Sequence, residues 1–292
     1  MAGADLCEAV RRHARAVVNG ARSVQIDLGA ADVEPGRAGL DPGVHLLDAP
    51  AEDRARYVLI LDTINFGSGW FHELRTSGGE DPTSALSRRL SEHARASGGP
   101  WAADRLQALT SHDVAGVLAQ DPGHELMDLY AAALRALGDW LGPRSALEAI
   151  HAAGSAQGLA ADLVAGMPLF EDPGFYKRAQ ITANDLVLAG VADFADADEL
   201  TAFADNLVPH VLRLDGVLVY EPDLAATIDA GTEIPSGSRE ETEIRAATIV
   251  ACDALAARAG VAPRVLDNWL WNRGLEPRYA ERPAHRTRTT AY

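Results

Sequence analysis

Apolar side chains recur every three or four positions along most of this chain. The clearest run lies at 124–141, where Leu126, Leu129, Tyr130, Ala133, Leu134, Leu137, Trp140 and Leu141 form one broad face. That period and width predict an amphipathic helix whose face belongs to the core. Weaker versions of the pattern predict helices at 4–21, 83–96, 104–109, 112–119, 144–153, 155–165, 175–188 and 197–205. Pro82 stands at the mouth of one, Thr110 or Ser111 is placed to cap another, and Pro209 interrupts the run that follows residue 205. Ser238 with Glu241 three residues on reads as a capping box, opening a helix to about Ala259 with Ile244, Ala247, Ala251 and Leu255 inward. Pro263 starts a last helix and Gly274 ends it. Residues 26–50 dissolve into Gly, Pro, Asp and Ala, which predicts a loop with one short extended segment near 23–28. "MPLFEDPGF" at 167–175 is a second break. Alternating stretches are few and no strand–helix–strand rhythm exists, so the fold class is mainly α with at most a minor β element.

A chain of 292 residues is within reach of one hydrophobic core. The expected organisation is a single helical domain over 1–276 and a basic, flexible tail over 277–292. Within that tail Arg278, Arg282, Arg286 and Arg288 stand against Glu281 alone; a solvated terminus is the plain reading and a phosphate-binding arm the other. The net charge of −16 repels phosphodiester polymers, so duplex nucleic acid is not an expected partner. No apolar window approaches the roughly 18 residues of a membrane span. Asp5, Glu8, Arg11 and Arg12 interrupt the segment where a secretory signal needs an apolar core, so the expected setting is cytoplasmic. Cys7 and Cys252 are too few for a disulfide framework and too isolated for a zinc site, and read as reduced, packed thiols. Lys177 is the sole lysine among 26 basic residues. Ammonium and guanidinium are not interchangeable in small sites, which singles that position out.

Glycine-rich phosphate loops, a nucleophile elbow and histidine pairs at helical ligand spacing are absent from the sequence. His72-Glu73 begins like a zinc motif without its second histidine, so no metal is expected. Four segments are instead more polar or aromatic than their neighbours require. In "YVLILDTINFGSGWFHEL" (57–74) an apolar run delivers Asp62 and Asn65 just before Phe66, Trp70 and Phe71. Such rings can stack on a heterocycle while the polar pair bonds its edge; equally, the polar pair can cap a helix while the rings fill core. In "FYKRAQITANDLV" (175–187) Lys177, Ile181 and Asp185 share a helical face, and Lys177 with Arg178 either receives a phosphate monoester or sits solvated. In "ELTAFADNLVPHVLRLDGVLVY" (199–220) Asp205 is flanked by Leu200, Phe203 and Ala204 on one side and Leu207, Val208 and Pro209 on the other. A carboxylate at an inward helix end has its pKa raised by desolvation and lowered by a nearby cation; a wet helix end is the alternative. His210 serves equally as a packed residue or an acid–base group. The fourth pair, 233–249 and 266–274, offers Glu243, Arg245, Asp267, Trp269 and Trp271. Two tryptophans one residue apart point in different directions, so at most one faces a site, and Arg245 can simply pair with Glu241.

Taken in order, "LDTINF", "YKRAQI", "FADNLVPHVLRLDGVL" and "IPSGSREETEIRAA" resemble the queuosine salvage protein family, the queuosine 5′-phosphate N-glycosidases. The resemblance runs over about 57–274. It implies a helical DNA-glycosylase-like fold, no cofactor, and a small modified nucleotide as substrate, cleaved to queuine and ribose 5-phosphate. It carries Asp205, in "FAD", over as the catalytic carboxylate. On the same resemblance Phe66, Trp70 and Tyr176 hold the base, Asp62 and Asn65 read its edge, and Lys177 with Arg178 or Arg245 takes the 5′-phosphate. Asp185, His210, Asp267 and Trp269 complete the expected lining. Two departures touch that pocket: the Gly67-Ser68-Gly69 spacer separates Phe66 from Trp70, and His210 stands where glutamine is common. Two other readings stay open at this level. One is a protein that binds a modified nucleotide or base without cleaving it. The other is a DNA glycosylase, against which stand the acidic balance and a "VPHVLRLDG" segment that offers only Gly216 for a backbone-gripping hairpin.

Overall fold

The structure, a computed structural model, describes residues 6–31, 33–76 and 78–292. It is mainly α-helical with one small sheet, as the apolar period predicts. The helices are α1 (Leu6–Asn19), α2 (Ala51–Thr63), α3 (Pro82–Ser97), α4 (Ala103–Gln107), α5 (Ser111–Leu118), α6 (Glu125–Leu141), α7 (Ala146–Ala153), α8 (Ala156–Gly166), α9 (Lys177–Leu188), α10 (Leu207–Leu214), α11 (Pro222–Asp229), α12 (Arg239–Ala259) and α13 (Pro263–Gly274). Residues 4 and 5 of the helix expected at 4–21 lie outside the described residues. The strands β1 (Val24–Ile26) and β2 (Leu218–Tyr220) pair antiparallel, with Gln25 opposite Val219. No helix among the described residues is long and apolar enough to cross a membrane.

Two apolar clusters organise these elements. The larger gathers α1 to α9, and α6 supplies Leu126, Tyr130, Leu134, Leu137 and Leu141 to it, all buried. The smaller gathers α10 to α13 and β2. Helix α12 joins them by facing both ways: Ala246 and Ile249 enter the larger cluster, Ile244, Ala247, Cys252 and Leu255 the smaller. Apolar residues on two faces are what a position between two cores requires. Its cap differs in part from the capping box expected: Ser238 Oγ accepts the Glu241 N–H at 3.2 Å, while Glu241 Oε2 accepts from the Gly237 N–H instead.

Three local differences from the sequence pattern have physical causes. The helix expected at 197–205 is only a short turn, Ala197–Glu199, followed by buried irregular chain. There the Thr201 and Phe203 N–H groups donate to the Gln180 and Asp267 side chains, so tertiary partners displace the helical ones. Pro209 does not interrupt α10, because it is the third residue, where a helix has no carbonyl waiting for its N–H. The segment 277–292, expected as a flexible tail, has packing partners: Tyr279, His285, Thr287 and Tyr292 are buried. The Ile234 N–H donates to the Arg286 carbonyl at 2.8 Å and the Gly67 N–H to the Tyr292 carbonyl at 2.9 Å. Reading that stretch by its arginines alone hides the apolar and hydroxyl residues between them.

Gly69 lies directly under this segment, since a Cβ there would overlap the Thr287 carbonyl. Gly69→Ala is therefore expected to cost about 1–3 kcal/mol, as overpacking does, and to lift the C-terminal strap. Hydrogen exchange by mass spectrometry should show faster uptake across 283–292 in that variant; unchanged uptake there would contradict the packing described.

Candidate active site

The two clusters meet along a cleft with two lobes of about 920 and 980 Å3, counting space open to solvent. Asn65, Thr83, Lys177, Asp205, Trp271 and Leu275 line both lobes, which makes them the waist between the two. The first lobe adds Asp41, Asp62, Asn184, Asp185, Asp267 and Asn268; the second adds Phe66, Ser68, Asp81, Asn206 and Tyr292. Acidic side chains thus crowd one end, while hydroxyl, amide and aromatic groups mark the other.

Each polar group is delivered by a local feature. Helix α2 runs apolar from Tyr57 to Leu61, and in its last turn Asp62 is fully buried and leaves Oδ2 without a hydrogen-bond partner. Asn65, just past its end, donates to Asp62 Oδ1 at 3.5 Å and accepts from Lys177 Nζ at 3.3 Å through Oδ1. Lys177 opens α9, and its own N–H is capped by Asp172 Oδ2 at 2.9 Å. The preceding Tyr176 sits at φ 52°, a left-handed conformation that costs a non-glycine residue and persists only where its surroundings hold it. Two turns along, Asp185 accepts from Asn184 Nδ2 at 2.9 Å. Asp267 on α13 accepts the Phe203 N–H at 2.8 Å. Asp205 ends the irregular segment, and its Oδ1 accepts the Leu207 and Val208 N–H groups at 2.9 and 3.0 Å. These are orphan donors at the start of α10, so the carboxylate doubles as the helix cap and sits at the positive end of its dipole. Among the described residues Oδ2 of Asp205 accepts no hydrogen bond and remains available to a ligand.

Four buried carboxyl groups, those of Asp62, Asp185, Asp205 and Asp267, thus share one lysine. Burial raises Asp205 above the ordinary carboxylate range, opposed by the Lys177 ammonium and the two N–H donors. Burial and then the charge of Asp205 push Asp267 up to about 8. Burial alone takes Asp185 to about 7 against the pull of Asn184 and Lys177. Asp62 is raised well above its usual value by burial and by Asp185. Lys177 is lowered by burial, with Asp205 its strongest support in the charged form. Like charges in a low-dielectric site cannot all persist beside one cation, so the neutral acids are part of the ground state. No group of three or more His, Cys, Asp or Glu among the described residues is arranged to hold a metal ion.

Of the residues singled out in the sequence, Asp62, Asn65, Phe66, Lys177, Asp185, Asp205 and Asp267 converge on the cleft. Phe66 does so while packed edge-on against Tyr130 and beneath the Arg178 guanidinium. Five others line neither lobe. Trp70 donates from Nε1 to Glu125 Oε2 at 3.0 Å and lies under Arg288. Tyr176 packs against the larger core. His210 is buried, with Nε2 donating to the Tyr279 carbonyl at 2.8 Å. Arg245 grips Asp172 with two nitrogens at 2.9 and 2.8 Å. Trp269 stacks under Arg273 on the smaller core. Arg178 is likewise committed, held between the Phe66 and Phe170 rings with one nitrogen on the Thr63 carbonyl at 2.7 Å.

The tryptophan of the cleft is Trp271, four residues after Asp267 and so on the same face of α13. That spacing was the signal available for choosing between the two rings. Tyr292, Ser68 and Thr83 carried no comparable signal, because distant parts of the chain bring them together.

Residues 44–292 match a family model described as queuosine salvage protein. A protein of Sphaerobacter thermophilus named queuosine 5′-phosphate N-glycosylase/hydrolase is 37% identical over 266 residues, spanning 82% of each chain. Proteins of the same name from Dictyostelium discoideum and Mus musculus are 38% identical over 127 residues and 31% identical over 164, covering 40% and 47% of this chain and 40% and 48% of their own lengths. With the family model spanning most of the sequence and one relative aligned over four-fifths of both, the chain belongs to the queuosine salvage protein family.

Proposed function

We propose that this protein hydrolyses the N-glycosidic bond of queuosine 5′-phosphate, or of a closely related 7-deazapurine 5′-nucleotide, releasing the base and ribose 5-phosphate. The observation that carries the reading is the free Oδ2 of Asp205 at the waist of a two-lobed cleft, beside the sole lysine.

Charge decides which end of the substrate takes which lobe. The lobe of Asp41, Asp62, Asp185 and Asp267 can meet positive charge by releasing protons but has nothing to neutralise a phosphate dianion, which is better received in the second, where Asp81 is the one added carboxyl and Ser68, Asn206 and Tyr292 stand near Lys177. Among the described residues Lys177 is the only lysine or arginine on either wall. The base then enters the acidic lobe. Trp271 offers a stacking face, protonated Asp267 or Asp185 can donate as well as accept, and the cationic aminomethyl arm of queuine finds carboxylates to pair with. The anomeric carbon falls at the waist, over Asp205.

Breaking the bond there leaves an oxocarbenium-like sugar. A fixed carboxylate beneath it stabilises the positive charge, and its free oxygen takes a proton from the attacking water. A 7-deazapurine lacks the N7 whose protonation would help the base depart, so stabilisation from the sugar side matters more. The two N–H bonds to Oδ1 hold the group still and leave Oδ2 to do this.

Asp205→Asn keeps the shape and the cap but loses the base. Turnover of queuosine 5′-phosphate, followed by chromatography of free queuine, is expected to fall by about 10² to 10⁴-fold, with binding retained in calorimetry; equal turnover would reject the assignment. The rate also carries a pH signature. Asp205 must be ionised to act and burial raises its pKa, so activity should be lost as pH falls through a value above the ~3.9 of an ordinary aspartate. An acid limb at or below that value would contradict the burial.

The neutral acids have a separate consequence for stability. Asp267 at about 8 and Asp185 at about 7 hold protons in the folded protein that the unfolded chain has already released above pH ~4. The folded state therefore binds more protons across that window, and stability declines as pH rises through it. Thermal unfolding should occur at lower temperature near pH ~8.5 than near pH ~6, with a smaller difference in Asp267→Asn; an equal difference in that variant would remove Asp267 from the account.

A further inference from the structure

Residues 201–205 cross the interior with neither helix nor strand and reach at most 9% exposure, at Asp205. Buried irregular backbone must find its hydrogen bonds on other elements. This segment finds them on three: Gln180 of α9 accepts the Thr201 N–H, Asp267 of α13 accepts the Phe203 N–H, and Arg245 of α12 donates from Nε to the Ala204 carbonyl at 2.9 Å. The last bond is to the peptide that immediately precedes Asp205.

Arg245 gives its two terminal nitrogens to Asp172, with Glu241 Oε1 3.6 Å from one of them, and Asp172 Oδ2 in turn accepts the Lys177 N–H at 2.9 Å. Two side chains thus connect the peptide before Asp205 to the backbone of Lys177, although the two residues belong to separate elements. The Phe175 and Tyr292 rings lie against the guanidinium, centred 4.1 and 4.6 Å away, and Arg245 is buried and lines neither lobe of the cleft. Resting on the reading of Asp205 and Lys177 given above, we infer that Arg245 and Asp172 are a positioning pair, setting the distance and orientation between the carboxylate and the ammonium that act on the nucleotide.

An arginine suits this task because its rigid fork holds Asp172 with two nitrogens while the third reaches a different partner; a lysine has one nitrogen to offer. The left-handed Tyr176 lies in the turn that Asp172 closes, so the same contact holds a conformation the chain would otherwise relax. Nothing in the pair touches the cleft, so its effect must pass through the two residues it places.

The test is Arg245→Lys, which keeps the cation but cannot hold both partners. With queuosine 5′-phosphate, kcat per folded molecule is expected to fall about 10²-fold while KM stays within about threefold; folded protein is counted by its calorimetric unfolding enthalpy. A purely structural arginine would lower the unfolding temperature and leave kcat per folded molecule at the wild-type level, and that result overturns the proposal. If Arg245→Lys does not fold, Asp172→Asn carries the same comparison, with a kcat loss of about tenfold or more expected. Failure of both to fold also overturns it, because the pair would then hold the fold and not the site. Asp205→Asn run alongside separates the two claims. Wild-type turnover in that variant removes the catalytic reading itself, whereas an inactive Asp205→Asn beside a fully active Arg245→Lys removes only the positioning pair.

Discussion

One ammonium group lies among four buried carboxyls, and the rest of the cleft follows from that imbalance. Lys177 cannot neutralise Asp62, Asp185, Asp205 and Asp267 together, and burial raises all four, Asp185 to about 7 and Asp267 to about 8. Asp205 differs from its neighbours in having two backbone donors and the lysine on its side. It is therefore the acid best able to remain ionised while staying out of water. Neutral and ionised carboxyls side by side are a familiar way to divide roles between like residues. On the proposed reading the division separates a group that would meet developing positive charge from groups that would read a base.

The fold makes this arrangement possible by bringing two apolar clusters together and leaving their seam polar. α2 and α9 bring Asp62, Lys177 and Asp185 from the larger cluster; α13 brings Asp267 from the smaller one, and the irregular segment leading into α10 brings Asp205. α12 is packed into both. Its Arg245, buried and lining neither lobe of the cleft, ties the peptide before Asp205 to Asp172.

Much of this was legible in the order of residues. The α6 face, the caps at Thr110 and Ser238 and the helix bearing Lys177 all follow from local periodicity and turn chemistry. The cleft residues that sequence reading found lie beside apolar runs that fix their direction, as Asp62 does at the end of α2. What it missed depended on distant parts of the chain. Residues 201–205 have a helical pattern yet give their hydrogen bonds to Gln180, Arg245 and Asp267, which only the assembled tertiary structure can offer. Arg245 read as a candidate phosphate ligand because a cation in a motif does not reveal that a buried aspartate 73 positions away already holds it. The C-terminal segment looked like a charged tail, although Tyr292 ends on the wall of the cleft.

The central claim is spatial: an anomeric carbon over Asp205, with the phosphate in one lobe and the base in the other. The most direct measurement is a crystal structure of Asp205→Asn soaked with intact queuosine 5′-phosphate. The expected result places C1′ within about 3.5 Å of the residue 205 side chain, at near-attack distance, the phosphate near Lys177, Ser68 and Tyr292, and the deazapurine against Trp271. A nucleotide bound the other way round, or with its sugar remote from residue 205, would contradict the account.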